Sequence, residues 1–258
     1  MCTLILLRRP GQAWPLVLGA NRDEMRNRPS RPPGPHWPER PGVIAGQDLL
    51  SGGAWLGLNR AGMVAAILNR RGSLGPQPGL RSRGELVLQA LEAGSAEAAA
   101  ADLARTDPQA YRSFNLVIAD REAAFWLRHL GPGETDAVET LPLPEGLTML
   151  TAGDRNDPSS PRVRRYLPQL EAADLPDPAR GDWQAWQALL SDRGNPETEP
   201  MAAMNLDLSG GQPGGFGTVS SSLLALGPKD GPEGPENVWL YADGRPDEAP
   251  FEPVILLG

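Results

Sequence analysis

Cysteine, histidine, lysine and aromatic residues are the scarce components of this 258-residue chain, with one Cys, two His and 5% Phe, Trp and Tyr. A single cysteine excludes an intramolecular disulfide and a cysteine-based metal cluster. Neither His36 nor His129 has a neighbouring ligand at metal spacing, so no metal site and no cofactor are expected. A Ser-His-Asp triad would have to use one of these two histidines, and no Gly-x-Ser-x-Gly elbow is present. No apolar run approaches the ~18 residues of a membrane span. The short run Leu4 to Leu7 cannot form a signal-peptide core, and Arg8-Arg9 follows it instead of preceding it. There is no Asn-x-Ser/Thr sequon, and a cytoplasmic location is the expectation. Positive charge is also in deficit: 24 basic against 32 acidic residues leave −8, which argues against a nucleic-acid partner. Of the basic residues 23 are arginine and one is Lys229, a bias that reads as coding composition and not as function.

The remaining composition, 40% hydrophobic and 22% charged, is that of a globular protein. A chain of this length buries roughly 70–75% of its unfolded surface and needs no staple. Glycine (30) and proline (28) are abundant, so loops are many. Strands are expected at 2–8, 15–20, 52–58, 63–69, 114–120, 123–129, 147–151, 216–226, 237–242 and 253–257. Residues 25–42 contain six prolines and read as an exposed loop. Asn59-Arg60-Ala61-Gly62 reads as a tight hairpin turn. Ser82 to Glu85 has capping-box spacing before a helix, 95–105 is helical by propensity, and Ser160-Pro161 opens a helix over 160–172. A further helix is expected at 182–191. Gly210 to Gly215 lacks the Lys-Ser/Thr ending of a phosphate loop and reads as a connection. With no repeat and no linker, the order β, α, β, α, β predicts one α+β domain over 1–258.

Cys2 directly follows Met1. Removal of Met1 would leave a residue carrying both a thiol and an α-amine, a nucleophile and a base together. The amine's ordinary pKa of about 7.7–8.0 leaves a useful neutral fraction near pH 7. Taken alone, a cysteine there reads first as a small apolar residue opening an edge strand. Asn21-Arg22-Asp23-Glu24 falls where the second strand should enter its turn. A cation and two carboxylates there could orient the amine and lower the thiol pKa, or be a solvated turn with surface ion pairs. Arg22, Arg26, Arg28 and Arg31 form a local basic cluster, either a solvated face or a site for a carboxylate or phosphate. Trp37 and Trp55 read as packing residues.

Taken together, these residues carry a resemblance. Met1-Cys2-Thr3, Ala20 to Glu24, Gly52 to Gly57, Gly62 to Asn69, Ser82-Arg83-Gly84, Phe114-Asn115-Leu116 and Phe216-Gly217-Thr218 occur in the order seen in the NRDE family, of transport-and-Golgi-organisation type. The resemblance implies an N-terminal-nucleophile hydrolase fold, a four-layer αββα sandwich. The same stretches more distantly resemble choloylglycine hydrolases and penicillin acylases. There the Asp of an Asn-x-Asp turn holds the nucleophile's amine, a role that passes to Asp23. Gly57-Leu58-Asn59-Arg60-Ala61-Gly62 through Leu68-Asn69 is similar to their oxyanion segment. That makes Asn69 a candidate donor, and it reads equally as a strand-end residue capping its own turn. Three positions depart from those hydrolases: Ala20 where an arginine is usual, Ala152-Gly153 where an Asn is usual, and Val219 where an arginine follows the Gly-Thr pair.

Two functions are therefore expected. In the first, the chain is a hydrolase of a linear amide of a small molecule, with Cys2, Arg22, Asp23 and Asn69 as catalytic candidates and Asn21, Glu24, Arg26 and Arg28 as substrate-binding ones. In the second, it is a non-catalytic binding or trafficking protein for haem or an amphipathic lipid or acyl-coenzyme A ligand, as the resemblance also implies. Either way the partner is a small molecule of anionic or amphipathic character, and a homo-oligomer is compatible with both.

Overall fold

The computed structural model describes residues 2–194, 199–210, 212, 214–228 and 237–256. Met1, Gly211, Pro213, Lys229 and Leu257, which enter the sequence readings above, lie outside the described residues. The chain falls into two compact units. One holds the beginning of the chain through Arg28 and resumes at Glu145, and the other is Pro29–Pro144.

The first unit is a six-stranded antiparallel sheet in the order β10-β1-β2-β11-β12-β13. Its strands are β1 (Thr3–Arg8), β2 (Leu16–Met25), β10 (Gly146–Leu150), β11 (Phe216–Leu226), β12 (Asn237–Ala242) and β13 (Glu252–Pro253). Two helices, α3 (Pro161–Ala172) and α4 (Gln184–Ser191), pack on it. Alternation along β1 and β2 sends Ile5, Leu7 and Val17 into a core with Tyr166, Trp183, Trp186 and Leu190. Gly19 continues that face, and a Cβ there would come within 3.1 Å of the Trp186 ring. The missing side chain lets the indole lie on the strand. Ser160 caps α3 by accepting from the Val163 amide at 3.5 Å, with Pro161 as first helical residue, as the sequence predicts.

The second unit is a seven-stranded antiparallel sheet whose strands follow chain order: β3 (Ser30–Gly34), β4 (Val43–Asp48), β5 (Ala54–Asn59), β6 (Val64–Asn69), β7 (Phe114–Ala119), β8 (Ala124–His129) and β9 (Glu139–Pro142). Helices α1 (Gly84–Leu91) and α2 (Ala96–Leu103) cover one face through Leu86, Val87, Leu91, Ala99 and Leu103. Asn59 ties the β5–β6 hairpin to the end of α1. Its Nδ2 donates to the Leu91 and Ala93 carbonyls at 2.9 and 3.3 Å, and its Oδ1 accepts from the Met63 amide at 2.9 Å. The turn closes with Gly62 at φ +79°.

The strand expected at 253–257 shrinks to the two-residue β13, Glu252–Pro253, with 254–256 outside any strand. Three further local expectations change. Part of the proline-rich 25–42 segment is the edge strand β3, where Pro32 and Pro33 sit at a register shift between Arg31 and Gly34; an edge strand tolerates missing amide donors. The Ser82–Glu85 box does not form: Arg83 occupies the N-cap position without a side-chain bond. Glu85 instead takes the Tyr111 hydroxyl and pairs with Arg81 at 2.7 Å. The third concerns Asn21 to Glu24. These residues are not a turn but the interior of β2, because the eleven-residue β11 keeps pairing with β2 as far as Phe216↔Met25, beyond the Thr3↔Asn21 pair where β1 begins.

Candidate functional site

β1 begins one residue after Cys2, and Thr3 pairs with Asn21 on β2. On the other side of β2, Thr218 stands opposite Asp23 and Ser220 opposite Arg22, with a bulge at Val219 between them. Strand alternation then puts Thr3, Asn21, Asp23 and Thr218 on the helix-bearing face, and Cys2, Ala20, Arg22 and Ser220 on the opposite face. Arg22 thus shares a face with Ala20.

Cys2 is half-buried, and its Sγ donates to the Asp23 carbonyl oxygen at 3.5 Å. Burial pushes the thiol above its ordinary pKa, and the Asp23 carboxylate adds to the rise. The amino-terminal charge and Arg22 pull it down without reversing the shift. Near neutral pH the group is a thiol, so nucleophilic chemistry at Cys2 needs a base to take the proton.

Beneath it, on the helix-bearing face, Asp23 is buried and closely held. Its Oδ1 accepts from Thr218 Oγ1 at 2.7 Å and its Oδ2 from Arg162 Nη1 at 2.9 Å. Both side chains of that ion pair are 0% exposed. The same Arg162 nitrogen donates to Thr3 Oγ1 at 2.7 Å, and Thr218 Oγ1 accepts from the Leu206 amide at 2.8 Å. A buried carboxylate is tolerated only when opposite charge and hydrogen bonds replace its hydration, and α3 and β11 supply them here. Arg162 reaches the strand because the Ser160 cap and Pro161 fix the first turn of α3, while Ser160 Oγ also lies 3.2 Å from Thr151 Oγ1.

Sequence reasoning missed Arg162 and gave Thr218 no role. A cation in the first turn of a helix opposes the helix dipole; that conflict, with Arg162 directly after Ser160-Pro161, was the available signal. Thr218 was visible only as part of the Phe216-Gly217-Thr218 block.

The other candidates are spread more widely. Asn21 is buried, and its Nδ2 donates to the Leu190 and Met204 carbonyls at 2.9 and 3.0 Å, tying β2 to the end of α4. Glu24 Oε1 accepts from the Met25 amide at 2.8 Å and its Oε2 lies 3.7 Å from Arg28 Nε. Arg26 pairs with Asp207 at 3.0 Å. Asp207 also meets Arg245 at 3.1 Å, and hydrogen bonds from Ser209 first, then these arginines, hold its carboxyl down at about 2. Arg31 lies on β3, where its Nη1 donates to Gln47 Oε1 at 3.4 Å. The basic cluster of the sequence is therefore divided among separate carboxylate and amide partners. Asn69 ends β6 in the second unit, paired with Phe114. Ala152 is buried just after β10 and offers no side-chain donor. His129 is fully buried with Nε2 3.1 Å from the Tyr111 carbonyl, and His36 Nε2 lies 2.7 Å from the Pro32 carbonyl. Among the described residues no group of three His, Cys, Asp or Glu is placed to hold a metal ion, and no helix is long and apolar enough to cross a membrane.

Solved structures with similar folds include an amidase and an acylase. The chain superposes on an N-acylethanolamine-hydrolyzing acid amidase ortholog of Caenorhabditis elegans with a TM-score of 0.55 and 12% identity, over 86% of this chain and 92% of that one. Penicillin V acylase from Agrobacterium tumefaciens gives a TM-score of 0.50 at 12% identity over the whole of both chains. At such identity the likeness shows the fold alone, the α+β fold of N-terminal-nucleophile hydrolases. Among sequences, the human Transport and Golgi organization protein 2 homolog is 28% identical over 245 residues, covering 83% of each chain. The cattle homolog is 36% identical over 118 residues, 43% of this chain and 41% of its own, and the mouse match likewise covers 40% of that protein. The family model for Transport and Golgi organisation 2 matches residues 1–226. With the match running through all but the last of the long strands, the chain belongs to the Transport and Golgi organisation 2 family.

Proposed function

We propose that the chain is a hydrolase that uses Cys2 as an N-terminal nucleophile on the linear amide bond of a small molecule. The observation that carries this reading is the clasp at the chain's start: Cys2 bonded to the backbone of Asp23, and the Asp23 side chain fixed by Arg162 and Thr218. β1 is an interior strand between β10 and β2, not the edge strand expected, and so much buried polar structure around a lone cysteine exceeds what such a strand needs to begin.

The chemistry would run as follows. Once Met1 is removed, the Cys2 amine takes the thiol proton and the sulfur adds to the amide carbonyl. The C–N bond then breaks, and the leaving amine departs with that proton. Water, deprotonated by the Cys2 amine, adds to the thioester; the C–S bond breaks, the carboxylic acid leaves, and the amine returns the proton to the sulfur. Arg22, on the thiol's face, favours the thiolate. Asp23 would orient the amine, and the resemblance to those hydrolases makes Asn69 the candidate oxyanion donor. A donor of that kind is worth roughly 3–4 kcal/mol in rate.

A second reading, a binding protein for haem or an amphipathic ligand on the same fold, is favoured by the raised thiol pKa and by Ala152 where a donor side chain is usual. Intact-mass spectrometry before and after a cysteine-reactive amide or β-lactone probe separates the two. The hydrolase reading expects Met1 to be absent and one adduct at Cys2, formed faster than on a model thiol and lost in Asp23→Ala. Retained Met1 with ordinary thiol reactivity overturns it in favour of binding.

A further inference from the structure

We propose that Arg162 is a positioning residue for the Cys2 thiol, acting through Asp23 and Thr3. From the first turn of α3 its buried Nη1 reaches both, at 2.9 Å to Asp23 Oδ2 and 2.7 Å to Thr3 Oγ1. Thr3 is joined to Cys2 by one peptide bond, and the Asp23 carbonyl accepts the Cys2 thiol at 3.5 Å. One guanidinium therefore holds the residue after the cysteine and the residue whose carbonyl accepts the thiol, tying β1, β2 and α3 together beside Cys2.

The electrostatic consequence follows from the charges in place. The amino-terminal charge and Arg22 on β2 favour the thiolate at Cys2, and the Asp23 carboxylate opposes it. Asp23 in turn faces Thr218 on β11 and Arg162 on α3. A cation at 2.9 Å offsets part of the carboxylate's field, and its hydrogen bond fixes where the carboxylate points. Without that cation the Asp23 charge acts on the thiol more fully. Arg22 cannot take over the task, since strand alternation puts it on the other face of β2. The value of this tuning for catalysis rests on the hydrolase reading; the tuning itself is a property of the thiol and is measurable without a substrate.

The experiment is the rate of iodoacetamide alkylation at Cys2 against pH in the full-length protein, with the N-terminal form of each sample checked by intact mass. Arg162→Met is expected to move the profile about one pH unit upward, a roughly tenfold loss of rate below the midpoint. Arg162→Lys, which keeps the charge, should restore most of it. Asp23→Asn combined with Arg162→Met removes both charges and should return the profile to the wild-type position or below. An unshifted profile in folded Arg162→Met overturns the proposal. So does a double variant shifted as far as Arg162→Met alone, because the effect would then come from loosened packing. If Arg162→Met does not fold, Asp23→Asn alone carries the test: a downward shift supports the proposal and an unchanged profile overturns it. Retained Met1 or absent turnover would count against the hydrolase reading and leave these shifts equally readable.

Discussion

Gly84→Ala sets two effects of opposite sign against each other, and the structure says which wins. Gly84 opens α1, and replacing a helical glycine by alanine ordinarily stabilises by up to about 1 kcal/mol, less at a helix end. Here the added Cβ would lie 3.0 Å from the Gly53 Cα and from the Ala54 nitrogen and oxygen. All three are backbone atoms of the segment entering β5, so no side chain can swing aside. Ordinary contact begins about half an ångström further out, and α1 must retreat by that much or the strand must bend. A retreat loosens Leu86, Val87, Ala90 and Leu91, all within 3% of complete burial. Overpacking of this kind costs roughly 1–3 kcal/mol, so the net expectation is a loss of about 1–2 kcal/mol. For a domain of this size that is a Tm lower by roughly 2–8 °C. Urea unfolding at unchanged m-value measures it. Gly94→Ala is the control, because a Cβ there meets nothing within 4 Å, and its midpoint should stay within about 0.5 kcal/mol of wild type. A Gly84→Ala midpoint equal to or above wild type would refute the close-approach argument, and with it the reason that Gly53 and Gly84 occur as a pair.

Two further outcomes are expected. Asn59→Ala leaves the Met63 amide and the Leu91 and Ala93 carbonyls without their partner; at about 1–3 kcal/mol per buried unsatisfied group with partial rehydration, the loss should be about 2–4 kcal/mol, and a urea-derived loss below about 1 kcal/mol would contradict the assigned bonds. All three tyrosines, Tyr111, Tyr166 and Tyr241, are raised by burial first, Tyr166 and Tyr241 to about 12. A phenol whose folded pKa exceeds the unfolded value of about 10 holds its proton more tightly when folded, so its contribution is complete below pH 10 and fades as pH rises through 12. Phenolate absorbance near 295 nm should therefore be silent at pH 10 while near-UV circular dichroism remains native, and a step there in folded protein would contradict the burial.

The functional proposals connect to the fold through β2. That strand is polar at its C-terminal end yet buried from Asn21 to Asp23, with each side chain serving a different purpose. Asn21 fastens α4, Arg22 shares the thiol's face, and Asp23 meets Arg162. A buried ion pair adds little stability by itself, which fits the positioning role proposed for Arg162.

Local chemistry determined much of this protein in the sequence itself. Short apolar runs bounded by Gly and Pro located β1, β5 to β8, β11 and β12. Ser160-Pro161 located α3, and the ordered blocks from Met1-Cys2-Thr3 to Phe216-Gly217-Thr218 indicated the family and the fold. All of these depend on residues a few positions apart, or on a pattern that can be matched position by position. What only tertiary structure decided depends on neighbours remote in the chain. β2 runs on through Asn21 to Glu24 because β11, almost 200 residues later, supplies its partners; by composition those residues read as a turn. Arg162 meets Asp23 across 139 residues and Thr218 meets it across 195. No spacing rule reaches so far, because the distance that fixes an ion pair is measured through space and not along the chain.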